Sequence, residues 1–438
     1  MKKHNFSFLI IFFLLLHLTK AQTHFDLVGN RKSETMSFKL INNLIILPVK
    51  INNQEFNFIL DTGVSKSLLF NIKSNDSIQL NQTEKITIKG LGKGKYFEAL
   101  KSKNNLFRLK NIVSPNFELY LILNEKFDFS SRMGIDIYGL IGTDLIKDFV
   151  IEINYTRKKI KFTKQKYYTY KKCKKCSEFD LFFQNRKPYI ESYISISNGS
   201  LLPVKLLIDS GAGESLWLLK ESHQKITVPN KHSKEFLGKG LSGNIFGKKA
   251  KLNDFKMGDF KLSNFVVSYP DSASVFHLNK NIKRNGTLGS EILKRFHVIL
   301  DYNNKRITLK KNSNFKRPFF YDKSGLEIIH NGKMLVEKSS IISSFGSQEN
   351  KTASFNYAYN YVFENSFIIA LVKPDSPAAI IGLKENDIIL EVNGKPVFEY
   401  DLTNIIQLLA SKENNRIKML IDRNGFQYTY KFKLKDML

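Results

Sequence analysis

The sequence contains very little cysteine: among its 438 residues, the only two are Cys173 and Cys176. A structural zinc site normally takes four protein ligands and a single C-x-x-C pair supplies half of them, so the pair does not indicate a zinc site. Thioredoxin-like redox chemistry would need a βαβ context, which the surrounding sequence lacks. We therefore expect a small local disulfide without a catalytic role, and no metal or other cofactor.

Acidic residues are also scarce relative to basic ones, with 40 Asp and Glu against 68 Lys and Arg and a formal net charge of +28. The densest basic stretch, residues 157–175, holds ten Lys or Arg and no acid. Because lysine is spread along the whole chain, we interpret this stretch as a solvated surface and not as a dedicated nucleic-acid site. A weaker alternative, binding of an anionic polymer, would show as salt-sensitive retention.

Long apolar runs are absent beyond the N-terminus. There, Lys2 and Lys3 precede an apolar stretch at 6–18, and Thr19-Lys20-Ala21 follows it. This order is typical of a secretory signal peptide, and the stretch is short for a bilayer span. We predict a signal peptide over 1–21, export to the periplasm or the medium, and no transmembrane anchor after cleavage.

What the sequence does contain is an internal repeat. One apolar strand runs into Asp61-Thr62-Gly63, and a second apolar strand runs into Asp209-Ser210-Gly211. Before each acid the pattern predicts a strand, a polar turn and another strand. Gly90 and Gly238 each lie 29 residues after their Asp, and each begins a glycine-rich segment.

The clearest correspondence between the two units lies further along the chain. Residues 139–155 align without a gap on residues 286–302, and each segment predicts a glycine turn, a short helix and an extended strand. The duplicated halves cover about 25–165 and 178–312, and a basic linker at 166–177 carries the C-x-x-C pair. Their short strands and glycine turns predict a mainly β protein with two β lobes.

The repeat indicates that Asp61 and Asp209 are brought face to face. Two carboxylates this close cannot both ionise easily, so the pair holds one proton between them. The ionised acid can take a proton from a water molecule while the protonated acid donates to a scissile carbonyl. Gly63 and Gly211 let backbone N–H groups come close to the acids.

The residues around the acids fit the same chemistry. The hydroxyl groups of Thr62 and Ser210 can hydrogen-bond between the two halves and fix the acids in plane. The two glycine-rich segments are candidates for mobile flaps that fold over an extended peptide, and the alternative is that they are exposed tight turns. The flap candidates are Gly90, Gly92, Gly94, Gly238 and Gly240.

These motifs resemble those of the retropepsin-like and pepsin-like aspartic peptidases, and the resemblance covers residues 25–312. The downstream signals Leu140-Ile141-Gly142 and Thr287-Leu288-Gly289 complete it. The resemblance implies that Asp61 and Asp209 form the catalytic dyad and that the downstream signals build the floor of the active site. It also implies active-site support from Thr62, Gly63, Ser210 and Gly211.

The residues that follow the two glycines, Val64 and Ala212, resemble the retropepsin-like pattern. Because both acids lie in one chain, a homodimer is not required to assemble the site, unlike in the retroviral enzymes.

The C-terminal region, residues 318–438, carries a second recognisable pattern. A strand leads into Ser376-Pro377, a short helix, Gly382-Leu383, and a strand that ends in an Asn393-Gly394 turn. This pattern resembles PDZ domains of the bacterial protease type, with an inserted loop near 343–366.

In PDZ domains a peptide C-terminus adds as a strand beside a carboxylate-binding loop. The candidate peptide-binding residues here are Gly325, Leu326, Glu327 and Ile328. The charge of Glu327 would oppose a peptide carboxylate, so binding of C-termini and a structural or internal-peptide role are both kept as alternatives.

The leading hypothesis is an exported aspartic endopeptidase that cleaves polypeptide substrates, with a PDZ domain for substrate presentation or regulation. The alternative, from another class, is a catalytically inactive peptide-binding protein built on a peptidase scaffold. The two intact Asp-Thr/Ser-Gly motifs favour the enzyme, because a binding protein has no need of two buried acids.

Overall fold

The computed structural model describes residues 23–72, 78–88, 97–123, 129–196, 199–240, 243–275, 284–345 and 353–438. The predicted signal peptide at 1–21 and the flap candidates Gly90, Gly92 and Gly94 lie outside these residues. None of the described helices is both long enough and apolar enough to cross a membrane.

The first half consists mainly of short strands. In chain order they are β1 (Asp26–Leu27), β2 (Ser33–Ser37), β3 (Lys39–Ile41), β4 (Leu44–Ile51), β5 (Gln54–Leu60), β6 (Leu68–Leu69), β7 (Glu84–Ile88), β8 (Phe97–Leu109), β9 (Ile112–Ile122), β10 (Gly139–Ile141), β11 (Phe149–Asn154) and β12 (Lys159–Lys164). Two short helices, α1 (Ser130–Met133) and α2 (Thr143–Ile146), flank β10.

Most of these strands belong to one sheet, in the order β1-β9-β6-β10-β5-β4-β8-β7, with β3 paired to β4. Because β8 also pairs with β9, the strands from β9 round to β8 close into a barrel. Along β4, residues with buried side chains alternate with exposed ones near its end, as expected for a strand with one face in a core.

The second half repeats this arrangement. Its strands are β13 (Cys176–Asp180), β14 (Phe182–Gln184), β15 (Lys187–Ser195), β16 (Leu201–Asp209), β17 (Leu216–Leu218), β18 (Ser233–Gly240), β19 (Gly243–Met257), β20 (Phe260–Pro270), β21 (Gly286–Gly289), β22 (Phe296–Asp301) and β23 (Arg306–Lys311). The helix α3 (Ser290–Leu293) follows β21. The sheet order is β14-β15-β16-β21-β17-β20-β19-β18, and a further pairing of β15 with β19 closes the second barrel.

A six-stranded sheet in the order β13-β23-β22-β11-β12-β2 joins the two halves. Its centre is the antiparallel pair of β11 and β22, where Ile151 lies opposite Leu300. One apolar core runs through both barrels and this shared sheet. The predicted mainly β architecture with two lobes is confirmed, and the predicted turn, helix and strand segments are β10-α2-β11 and β21-α3-β22.

The basic linker packs on the shared sheet. The Tyr170 hydroxyl donates a hydrogen bond to Asp301 Oδ2, and the Arg306 guanidinium lies 3.7 Å from the centre of the Tyr170 ring. The linker also contains a disulfide between Cys173 and Cys176, and the second of these residues begins β13.

The C-terminal domain has its own sheet and its own apolar core. Its strands are β24 (Leu326–Phe345), β25 (Ala353–Val372), β26 (Ile388–Val392), β27 (Lys395–Pro396), β28 (Arg416–Arg423) and β29 (Phe426–Lys433). Its helices are α4 (Pro377–Ile380) and α5 (Leu402–Leu409). The sheet order β24-β25-β26-β28-β29 leaves β24 as an edge strand.

The loop expected near 343–366 differs from what the structure shows. Apart from 346–352, which lie outside the described residues, this stretch continues β24 and β25 as a long antiparallel hairpin. Its exposed aromatic residues Tyr359, Tyr361 and Phe363 alternate along β25, and aromatic residues favour strands. Ser and Asn residues in the segment are typical of a loop, but the alternating aromatic residues support a strand.

Arg295 of the second lobe holds the segment that leads to the C-terminal domain against that lobe. Its side chain is 1% exposed and forms an ion pair with Glu291 at 2.9 Å. Its guanidinium also lies 3.6 Å from the centre of the Phe319 ring. The guanidinium N–H groups donate to the carbonyl oxygens of Asn314, Phe315, Arg317 and Pro318.

We predict that Arg295→Met lowers the free energy of unfolding by about 2 kcal/mol, because four backbone carbonyls and the partly buried Glu291 carboxylate lose the buried guanidinium that they contact. Urea denaturation followed by near-UV circular dichroism measures the change. Lys310→Met, at an exposed position of β23, is the matched control and should stay within about 0.5 kcal/mol of the parent. An Arg295 effect no larger than that of the control would contradict this account.

Candidate active site

Equivalent strands place the two predicted acids at the junction of the lobes. Asp61 directly follows β5, and its backbone N–H donates to the Ile141 carbonyl at 2.9 Å. Asp209 ends β16 and lies opposite Gly289 in the parallel pairing with β21. Each acid therefore emerges beside the downstream glycine signal of its own lobe, as the repeat predicts.

Two reciprocal pairs of hydrogen bonds join the motifs across the lobes. The backbone N–H of Thr62 donates to Ser210 Oγ at 3.0 Å, and the N–H of Ser210 donates to Thr62 Oγ1 at 2.9 Å. Each hydroxyl in turn donates to the opposite strand: Thr62 to the Ile208 carbonyl and Ser210 to the Leu60 carbonyl, both at 2.7 Å. The two loops are therefore locked to each other by buried bonds.

The glycine of each motif faces the acid of the other motif. A Cβ atom on Gly63 would lie 2.6 Å from Asp209 Oδ2, and one on Gly211 would lie 2.7 Å from Asp61 Oδ1. No side chain larger than hydrogen fits there without displacing the opposite carboxylate. The glycine N–H groups also donate to their own acids, Gly63 to Asp61 at 2.7 Å and Gly211 to Asp209 at 3.0 Å.

This environment raises the pKa of Asp61 well above its usual value. Burial is the largest cause, the charge of Asp209 is the next, and a hydrogen bond with Asp209 adds to them. The Gly63 N–H and the charge of Lys187 oppose the rise without cancelling it. Because the two carboxyl groups interact closely, Asp61 keeps its proton above the pH at which an isolated aspartate loses it.

The downstream signals pass beside the acid-bearing loops. Thr143 Oγ1 donates to the Val64 carbonyl at 2.9 Å, and Ser290 Oγ donates to the Ser210 carbonyl at 2.9 Å. A Cβ atom on Gly142 would lie 2.8 Å from the Asp61 carbonyl oxygen, so close approach of the chain requires glycine at this position. These contacts fix the positions of the two loops that carry Asp61 and Asp209.

The second flap candidate is part of a β-hairpin. Gly238 and Gly240 belong to β18, which pairs with β19. Near its base Glu235 pairs with Lys249 at 3.1 Å, and Lys249 pairs with Glu214 at 3.0 Å. Because Glu214 lies five positions after Asp209, this partly buried ion-pair chain connects the hairpin to the acid-bearing loop of the second lobe.

The sequence reasoning did not identify several charged or polar groups near the acids. Lys187 interacts electrostatically with both Asp61 and Asp209, and Arg284 interacts with Asp209. The Tyr302 side chain is buried, and its pKa is raised by that burial and by the charges of both acids. Comparison of the two halves could have revealed Arg284, which stands two positions before Gly286 as the apolar Ile137 does before Gly139. It would not have revealed Lys187, because the strands and turn before the second acid are longer than those before the first.

The PDZ candidates form a loop and the start of β24. Asp322 accepts hydrogen bonds from the N–H groups of Ser324 and Gly325, which fixes the loop. Leu326 and Ile328 are buried in the domain core, so they do not offer side chains to a ligand. Glu327 is not free: Arg132 Nε of helix α1 donates to its carboxylate at 2.8 Å.

The described residues contain no group of His, Cys, Asp or Glu side chains that could hold a metal ion.

We predict that Asp61→Asn becomes progressively more stabilising, relative to the parent, as pH rises. Above the unperturbed pKa of 3.8, the unfolded parent loses the Asp61 proton while the folded parent keeps it, so the parent loses stability. The gap between the free energies of unfolding of the variant and the parent should widen by up to about 1.4 kcal/mol per pH unit. This widening continues until the pH reaches the pKa of Asp61 in the folded parent. Urea denaturation of both proteins between pH 3 and 8 measures it, and a gap that is constant with pH would contradict the raised pKa.

The chain was compared with known protein families and structures. Residues 47–145 match the family described as Aspartyl protease, and residues 368–423 match the family described as PDZ domain. Among solved structures, the aspartic proteinase from Irpex lacteus is similar, with 14% sequence identity and a TM-score of 0.44 over 65% of this chain and 99% of that chain. A comparison with curated proteins found no match. The chain carries a retropepsin-like aspartyl protease domain and a C-terminal PDZ domain.

Proposed function

We propose that this protein is an aspartic endopeptidase that hydrolyses peptide bonds of polypeptide substrates with a water molecule activated between Asp61 and Asp209. The observation that carries the proposal is the joint placement of the two carboxylates, each against the glycine of the other motif. Because one chain supplies both acids, the site needs no second copy of the protein.

The chemistry follows from one proton shared by two acids. The ionised carboxylate takes a proton from water, and the oxygen of that water attacks the scissile carbonyl carbon. The protonated carboxyl donates its proton to the carbonyl oxygen, which gives a neutral tetrahedral intermediate. Breakdown of the intermediate breaks the C–N bond, and an acid of the pair protonates the leaving nitrogen. The Thr62–Ser210 bonds join the two acid-bearing loops and so preorganise both acids for this chemistry.

The PDZ domain has a regulatory role in this proposal, supported by its contacts with both lobes. Arg132 lies between the domain and the lobes: it pairs with Glu327 at 2.8 Å, and its guanidinium lies 4.4 Å from the centre of the Phe236 ring in β18. The end of helix α1 also meets the start of α5, since a Cβ atom on Gly134 would lie 3.9 Å from Leu402 Cβ. Helix α1 therefore occupies the region beside β24 and α5.

A second contact connects the PDZ domain to the hairpin of the second lobe. Lys373 Nζ lies 2.9 Å from Glu235 and 3.1 Å from Asp322, which holds the candidate peptide-binding loop. Burial alone would raise the pKa of Glu235, but Lys249 and Lys373 hold that pKa below its usual value. The ion-pair chain that begins at Lys373 thus runs through Glu235 and Lys249 to Glu214 beside the dyad. A ligand that displaces α1 from the PDZ domain would therefore disturb the contacts that hold the hairpin and the acid-bearing loop of the second lobe.

The peptidase proposal predicts cleavage that depends on both acids. A peptide library incubated with the purified protein from pH 3 to 8 and analysed by mass spectrometry should reveal cut peptides. Asp61→Asn and Asp209→Asn should each lower the rate by at least about a hundredfold, the usual contribution of a positioned acid or base. Asp259→Asn, an exposed aspartate of the second lobe, should retain the parent rate. Cleavage by either dyad variant at the parent rate would refute the mechanism, and peptide binding without cleavage by the parent would favour the inactive scaffold.

The regulatory proposal predicts coupling between Arg132 and Glu327. Arg132→Gln and Glu327→Gln should each lower kcat/KM by roughly fivefold, which corresponds to about 1 kcal/mol for a partly exposed ion pair. The double variant should be no worse than either single variant, because all three lose the same contact. The double charge exchange, Arg132→Glu with Glu327→Arg, should recover part of the loss. Independent, additive effects of the two substitutions would contradict coupling through this contact.

A further inference from the structure

Backbone pairing defines which positions around the two acids are equivalent in the two lobes. Ile137 and Arg284 form one such pair. The residue after each donates its N–H to a carbonyl oxygen four positions before the acid, that of Asn57 at 3.0 Å in the first lobe and that of Lys205 at 2.8 Å in the second. Ile137 and Arg284 therefore occupy equivalent positions relative to the acids of their lobes.

A second pair of equivalent positions is Ile46 and Tyr189. Ile46 lies opposite Ile59, and Tyr189 lies opposite Leu207. Ile59 and Leu207 each stand two positions before an acid, so they lie on the same strand face as that acid. These positions therefore border the dyad in both lobes.

A third pair follows from the same alternation along the strand. Leu44 and Lys187 stand two positions before Ile46 and Tyr189, respectively, and so share their strand face. Leu140 and Thr287 form a fourth pair, because they lie opposite Ile59 and Leu207.

In the first lobe these positions are apolar. Ile46, Ile137 and Leu140 belong to one cluster of buried apolar side chains, and Leu44 packs against it. Met133 of helix α1 belongs to the same cluster. Because Leu44 and Val64 at the edge of the cluster are only partly buried, the first lobe presents an apolar surface beside Asp61.

In the second lobe the equivalent of Ile137 is a buried cation. Arg284 is only 6% exposed, and its Nε makes no hydrogen bond with any described residue. The side chain interacts with the Tyr189 hydroxyl and with the charge of Asp209, and burial is the main factor that lowers its pKa. A guanidinium in this position has N–H donors in a fixed fork that suits a carboxylate.

The equivalent of Leu44 is a second cation. Lys187 is partly buried, and burial is the largest influence on its pKa, which is lowered. The charges of Asp61 and Asp209 act on it in the opposite direction, and Arg284 adds to the lowering. Since the dyad carries one negative charge when it holds one proton, two cations leave a net positive charge beside it. Uncompensated buried charge is costly, so an anionic partner would stabilise this arrangement.

We infer that Arg284, held by the buried Tyr189, and Lys187 form a basic pocket on the second-lobe side of the dyad that accepts an acidic substrate side chain next to the scissile bond. The inference rests on the proposed peptidase function and adds a substrate class to it. The apolar surface of the first lobe takes an apolar side chain on the other side of the same bond. The preferred substrate is therefore a polypeptide with an apolar and an acidic residue flanking the cleavage site.

A different role for the cations would be to tune the dyad alone. Their positive charge favours the ionised carboxylate, and that effect acts on every substrate alike. A pocket acts on acidic substrates only. The ratio of kcat/KM for a peptide with Glu to that for the same peptide with Gln separates the two roles, because any change in the dyad cancels in the ratio.

The experiment uses peptides cut by the parent enzyme, each made with Glu, Gln or Leu at the positions that flank the bond. The parent should prefer Glu over Gln at one flanking position by roughly ten- to a hundredfold, as expected for a charge-assisted hydrogen bond in a desolvated site. Arg284→Met and Lys187→Met should each bring the ratio towards one. Lys261→Met removes an exposed charge from the same lobe, where Lys261 pairs with Asp254 at 3.1 Å, and should leave the ratio unchanged.

The outcomes distinguish the pocket from the peptidase itself. Cleavage by the parent without a preference for Glu, or a ratio that survives both substitutions, overturns the pocket and leaves the peptidase intact. Equal losses on Glu and Gln peptides also overturn it, in favour of tuning. A parent that cuts no peptide refutes the proposed function, and the pocket with it. If Arg284→Met does not fold, the ratio measured with Lys187→Met still tests the pocket. Circular dichroism of each variant shows whether it folds.

Discussion

The reciprocal hydrogen bonds between Thr62 and Ser210 are the constraint on which the rest of the site depends. They hold the buried Asp61 carboxyl and the partly buried Asp209 carboxyl together although the charges of those groups repel one another. The cost of that repulsion is reduced by one retained proton and by the glycine N–H donors beside each acid. Behind the site, the shared six-stranded sheet continues from one half into the other and keeps the two barrels in register.

The same backbone supports two different surfaces in the two lobes. The cluster beside Asp61 is apolar, whereas Lys187 and Arg284 make the equivalent surface beside Asp209 basic. Helix α1 belongs to both the apolar surface and the contact with the PDZ domain, through Met133 and Arg132. The duplicated strands therefore place the two acids in equivalent positions, while the residues that surround the acids differ between the lobes.

Much of the fold could be predicted because its signals are local. Strand alternation, the turn glycines and the two Asp-Thr/Ser-Gly motifs each lie within a few residues, and their repetition indicated two lobes with paired acids. The pairing of Arg132 with Glu327 could not be predicted, because these residues lie far apart in sequence and meet only through domain packing. The long hairpin was missed for a local reason: polar residues in the segment obscured its alternating aromatic pattern.

The measurement that tests the central claim most directly is a carbon-13 NMR titration of the aspartate carboxyl groups. Spectra of Asp61→Asn and Asp209→Asn proteins identify the two resonances of the dyad. The account predicts that the Asp61 carboxyl titrates well above the usual aspartate range and that removal of Asp209 lowers the pH at which it titrates. An Asp61 carboxyl that ionises in the usual aspartate range, unaffected by loss of Asp209, would contradict it.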